Sequence, residues 1–278
     1  MARRDEHIQI CEQLVDPLTR NARNGEPHPV YDFLFEYYRF RPQLLKRWSP
    51  GFGVFLEGAT VAEVPALTRW EEAGGYVEVT SFPQKRQEGL DWVISLLEAI
   101  AARPALHACS GLHEWAMVYQ SEQPRHAVPL RFSSDTIRDI VERQPLVCTH
   151  YDAFRFFTHA ATPRNRVQLT KENRISHDQP GCIHANMDLY KWAYKFYPWI
   201  RSERILEAFR LALKARELDM RASPYDLKEW GFAPVKIETD AGRQEYDQAQ
   251  RELAQAAVPI RQALLQELKS LRKALTHS

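Results

Sequence analysis

Apolar positions recur at helical spacing along most of this chain. Leu90, Val93, Ile94, Leu97 and Ile100 return every three or four positions, which predicts a helix over residues 85–102 with one buried face. Ile8, Cys11, Leu14, Val15 and Leu18 predict another over residues 5–23, closed by Asn24-Gly25. Ile205, Leu206, Phe209, Leu213 and Leu218 predict a third over residues 202–220. Heptad-like leucines predict a long C-terminal helix over residues 243–275, partly interrupted at Pro259. Ser133 or Ser134 caps a helix that runs to Arg143. Residues 30–48 read as an aromatic-rich core helix kinked near Pro42, with a basic outer edge. Strand signals are few. Residues 76–82 alternate, 235–238 are β-prone, and 63–73 read as a short helix closed by Gly74-Gly75. The expectation is a mainly α fold: a single helical domain over 1–278, with one or two short β-strands.

Composition narrows the partners. The chain has 278 residues and a formal net charge of +1, so no global basic field draws it onto nucleic acid. Any such contact needs a local patch. The densest is Arg164, Asn165, Arg166, Lys171 and Arg174, where a phosphate could dock. The rings and cations interleaved in residues 30–48 are a second strand-binding candidate. Cys11, Cys109, Cys148 and Cys182 are widely spaced and contain no CxxC pair, which argues against a zinc ribbon and a disulfide scaffold. The N-terminus lacks a signal-peptide core, and no apolar run reaches membrane-spanning length. The expectation is a cytoplasmic protein with free thiols and no membrane association.

Candidate chemistry centres on residues 179–196, QPGCIHANMDLYKWAYKF. Pro180-Gly181 stops what precedes, and a helix begins near Ile183. His184, Asp188 and Lys191 then lie one turn apart and share a face, crowded by Tyr190, Trp192 and Tyr194. That face suits proton transfer or metal binding. It equally fits an amphipathic helix with a satisfied histidine. His113 and Glu114 form a second candidate. On a regular helix adjacent residues point about 100° apart and cannot both reach one ion. His150 and Asp152 make an HxD pair of the kind found in iron oxygenases, while Thr149 with Asp152 also matches a capping box.

Taken together, YDFLFEYYRFRPQLLKRWSPG, GLHEWAMVYQ, CTHYDAFRFFT, QPGCIHANMDLYKWAYK, LDMRASPYDL and IETDAGRQEY resemble bacterial proteins catalogued as 3-methyladenine DNA glycosylases. The resemblance spans about Tyr31 to Arg251. It implies a DNA-repair hydrolase that releases an alkylated purine, using a carboxylate to stabilise charge on the sugar and rings to hold the flipped base. The glycine-rich hairpin followed by Asp of the main glycosylase superfamily is missing; SPGFG at Ser49 is a loose echo.

Three functions stay open. A glycosylase acting on nucleic acid or a nucleobase-containing ligand needs no cofactor. Its carboxylate is Asp188, oriented by His184, with His150 and Asp152 as a second wall. Trp192, Tyr190, Arg155, Arg221, His113 and Glu114 contact the substrate. A metal-dependent enzyme holds Zn or non-haem Fe with ligands from His113, His150, Asp152, His184 and Asp188. A non-catalytic helical binding protein uses the same polar groups to fix its fold.

Overall fold

The computed structural model describes residues 2–23, 27–121 and 128–277. The predicted Asn24-Gly25 stop lies outside them. The described residues form ten α-helices and one small sheet, so the fold is mainly α. None of the described helices is long and apolar enough to cross a membrane. Contacts divide the chain into two compact units.

The first unit comprises Met1–Glu98, Asp188–Ala212 and Pro259–Ser278. Its first helix, α1 (Ala2–Arg23), buries Cys11 and Val15. The aromatic stretch that follows is not one kinked helix. It breaks into α2 (Asp32–Glu36) and a 3-10 turn (Pro42–Lys46), because Arg39 takes a left-handed backbone at φ 54° between them. Antiparallel strands β1 (Phe55–Glu57), β2 (Arg69–Glu71) and β3 (Gly74–Tyr76) pair in the order β1-β3-β2, pairing Phe55 and Arg69 with Tyr76. The helix expected over residues 63–73 is therefore corrected to turns and a strand. Gly74-Gly75 does not close a helix; it lets β3 pass between its neighbours. A Cβ on Gly74 would sit 2.1 Å from the Leu56 carbonyl oxygen. Helix α3 (Gln87–Ala102), whose residues from Ala99 on belong to the second unit, buries Leu90, Val93, Leu96, Leu97 and Ile100 as its period requires. Phe35, Tyr190 and Phe209 pack into a ring cluster, with Tyr190 and Phe209 centroids 5.0 Å apart.

The second unit comprises Ala99–Met187 and Leu213–Val258. It holds α4 (Leu112–Ala116), α5 (Ser134–Arg143), α6 (Tyr151–Phe154) and α7 (Arg174–His177). Ser133 is the cap of α5, accepting a hydrogen bond from the Thr136 backbone N–H. The capping box at Thr149 and Asp152 is a correction: His150 occupies the N-cap of α6, and no side chain caps it. Thr149 instead accepts from the Gln179 amide, and Asp152 pairs with Arg174. Residues 235–238 are not a strand. Val235 donates to the Arg221 carbonyl and Ile237 to Val235, which turns the chain.

The remaining helices, α8 (Ile183–Lys195), α9 (Ser202–Ala222) and α10 (Asp240–Thr276), each contribute residues to both units. Helix α10 continues through Pro259 without a break.

Candidate metal centre

The buried polar groups of the second unit converge on His113, Glu114, His184 and Asp219. Each offers one ligand atom, and these atoms lie within 4.8 Å of one another. Two come from α4, one from the first turn of α8 and one from α9. His113 and Glu114 both reach the cluster because α4 is not the long regular helix on which adjacent residues diverge. Helix α4 is only five residues long and follows two left-handed residues, Ser110 and Gly111. The longer glutamate then bends toward Arg216, whose Nη1 is 3.6 Å from Glu114 Oε1 and 3.1 Å from Asp219 Oδ2.

The hydrogen bonding orients the imidazoles. His113 Nε2 is 2.6 Å from Asp219 Oδ1, and its Nδ1 is 3.1 Å from the Cys109 sulfur. His184 Nε2 is 3.7 Å from Asp219 Oδ2. The His113 and His184 rings meet edge to face at 4.6 Å. With the Cys109 sulfur at Nδ1 and the Asp219 carboxylate at Nε2, both ring nitrogens of His113 are engaged and its orientation is fixed.

Charge explains the titration. As ionised groups, Glu114, Asp219 and Arg216 together leave one negative charge in a buried site. Burial disfavours a charged imidazole, yet Cys109 and Asp219 outweigh it and hold His113 well above its ordinary pKa. Burial pushes His184 the other way, to about 3, against the pull of Asp219 and with the repulsion of His113 and His150. Burial also raises Asp219, but its His113 partner and the neighbouring cations hold it below the usual carboxylate range. His113 is thus the imidazole of the pair that favours its charged form beside Asp219. A divalent cation replaces the proton that such a charged form carries. A tetrahedral ion with ligands about 2.1 Å away keeps its donors about 3.4 Å apart, against separations of up to 4.8 Å in this set.

A second polar network lies in the same unit. His150 Nδ1 is 3.0 Å from Asp178 Oδ1, and its ring stacks on His184 at 5.7 Å. Arg174 is 5% exposed and bridges Asp178 at 2.8 Å and Asp152 at 2.7 Å. Burial raises Asp178, but His150 and Arg174 together hold it below the usual range. Arg174 is therefore removed from the expected basic patch; Arg164, Arg166 and Lys171 are exposed, and Asn165 is buried against Cys148. Arg155 lies 3.6 Å from Asp152, with its guanidinium over Phe156. Arg221 donates to the Ala233 carbonyl and to Glu245.

The other expected site residues belong to the first unit. Asp188 accepts from the Tyr38 hydroxyl at 2.9 Å and lies 3.5 Å from Lys191. Tyr190 is fully buried among rings. Trp192 packs against Trp92, and the Lys191 and Lys195 amines lie over its ring at 4.6 and 5.1 Å.

Two contributors escaped the sequence. Asp219 entered only within the LDMRASPYDL segment, and Arg216 was not singled out. Their i,i+3 spacing on α9 is the signal that pairs them. Against these residues, no family model, curated protein or solved structure matches the chain.

Proposed function

We propose that the protein is a metal-dependent enzyme whose centre is held by His113, Glu114, His184 and Asp219. The observation that carries this reading is the convergence of two imidazoles and two carboxylates, all at least nearly buried, on one point within 4.8 Å. Buried charge of this density is costly unless it is paired or ligates a cation. Imidazole and carboxylate donors suit Zn or Fe. A bound cation would act as a Lewis acid or activate an oxygen ligand, and Arg216 would hold the two carboxylates in register for it.

Elemental analysis of the purified full-length chain tests this. Near-stoichiometric Zn or Fe, lost in His184→Ala, is expected. A folded protein that is metal-free and takes up neither ion on titration would sink it.

Glycosylase chemistry, which the family resemblance implies, is the second reading. Asp188 favours it: a buried carboxylate hydrogen-bonded by Tyr38 is the kind of group that stabilises a charged sugar. It predicts release of an alkylated purine from a nucleic acid, and loss of that release in Asp188→Asn.

A further inference from the structure

Helix α10 brings one more polar group to the second unit's cluster. Tyr246 lies in its second turn and is fully buried. Among the described residues its hydroxyl has no hydrogen-bond partner. A buried phenol in that state costs stability and calls for an explanation.

Gly111 sets the position of the ring. This residue precedes α4 in a left-handed backbone at φ 76°, and a Cβ on it would lie 3.2 Å from Tyr246 Cε2. Cε2 is bonded to the ring carbon that carries the hydroxyl. The missing side chain therefore lets the hydroxyl end of the ring come up against the turn that leads into His113 and Glu114.

The surroundings are acidic. Burial first, and then Cys109, Asp219, Cys182 and Glu114, hold the Tyr246 hydroxyl well above its ordinary pKa. Asp219 and Glu114 are the two carboxylates of the cluster, yet neither accepts a hydrogen bond from this phenol. A phenol that lies beside two carboxylates and bonds to neither keeps its oxygen lone pairs for a cation.

Charge points the same way. Ionised Glu114, Asp219 and Arg216 carry one negative charge between them, so a divalent cation in the cluster leaves one positive charge. The imidazoles ligate as neutral rings and do not change that sum. A phenolate at Tyr246 brings the loaded site to zero, and a buried site pays for any other net charge. Tyrosine oxygen is a known ligand for iron.

Resting on the metal-centre reading, we propose that Tyr246 is a further ligand of that centre. The ion bonds to the phenol oxygen, the O–H bond breaks, and one proton is released for each ion bound.

Tyr246→Phe removes the hydroxyl and keeps the ring. Both full-length chains are stripped with chelator and titrated by calorimetry with Zn(II), and with Fe(II) in the absence of oxygen, in buffers of different ionisation heat. The wild type is expected to bind at least about tenfold more tightly and to release one more proton per ion than the variant. Its ultraviolet difference spectrum on Zn(II) loading should show the band of an ionised tyrosine, and the variant should lose that band. The metal-free variant should be no less stable than the metal-free wild type. Equal affinity and equal proton release in the two chains overturn this inference and leave the metal centre standing. An ionised-tyrosine band that persists in the variant overturns it as well, since another tyrosine then carries it. Marked destabilisation of the metal-free variant overturns it too, because the hydroxyl then already has a partner in the fold. A wild type that takes up neither ion overturns the metal-centre reading itself.

Discussion

The two units bury different things. The first buries rings: Tyr190 sits among Phe209, Tyr38 and Phe40, and its described carboxylate at the core, Asp188, meets a tyrosine hydroxyl and a lysine. The second buries charge. His113, Glu114, Arg216, Asp219, His150, Arg174 and Asp178 are each no more than 5% exposed. An apolar ring cluster is stabilised by the area it removes from water and tolerates small edits. A buried charge network has no such slack, since each member is stable only while its partner is present. The chemistry is therefore expected in the second unit, and the first should respond to mutation as an ordinary core.

The strongest challenge to that contrast is Asp219→Ala. It takes the Asp219 carboxylate away from buried His113 and Arg216, and the expected cost is about 3–5 kcal/mol in urea unfolding together with loss of bound metal. A loss no larger than that of a surface substitution would break the contrast.

Acid is the next probe, applied to metal-free protein. His184 is held at about 3 in the fold against an ordinary 6.5, so between these values the unfolded chain binds a proton that the native state refuses. Stability then rises with pH across that window. His113 runs the opposite way. Its raised pKa contributes stability that is complete below 6.5 and is lost as pH climbs through the raised value. Thermal midpoints across pH should show both limbs, and His184→Gln should flatten the acid one only. An unchanged acid limb in that variant would remove His184 from the network.

Asp188→Asn keeps an acceptor for Tyr38 and removes the ion pair with Lys191. The expected loss is about 1 kcal/mol, with metal content unchanged. Loss of metal in this variant would blur the distinction between the units.

The smallest effect, and of opposite sign, belongs to Tyr190→Phe. The Tyr190 hydroxyl is buried without a hydrogen-bond partner. Removing it should be neutral or stabilise by up to about 1 kcal/mol in the same unfolding assay. Marked destabilisation would show that the ring cluster holds a polar contact of its own.

The long helices were legible from periodicity. Helices α3, α9 and α10 lie within a few residues of where their leucine and isoleucine spacing put them, and of the two serines expected to cap α5, Ser133 does so. The errors fall where apolar period is short or ambiguous. Residues 63–73 carry too few turns of pattern to separate a helix from a hairpin, and the glycines that looked like a stop are there for close strand approach. The candidate site was half visible. His113, Glu114 and His184 stood out as histidine and carboxylate in apolar segments. Asp219 and Arg216 did not, because a charge on a helix looks solvated until the packing shows which face is buried.

The sequence alone determined a mainly α chain, its long helices, scattered cysteines without a CxxC pair and a formal net charge near zero. Those are local or additive properties, set by period, spacing and count. Only the tertiary structure decided which polar residues share a site. His184 and Asp188 are one turn apart on α8, yet His184 meets Asp219 in one unit and Asp188 meets Tyr38 in the other. Partner choice across 35 residues for His184 and 150 for Asp188 is fixed by how helices pack, and no periodicity along the chain encodes it.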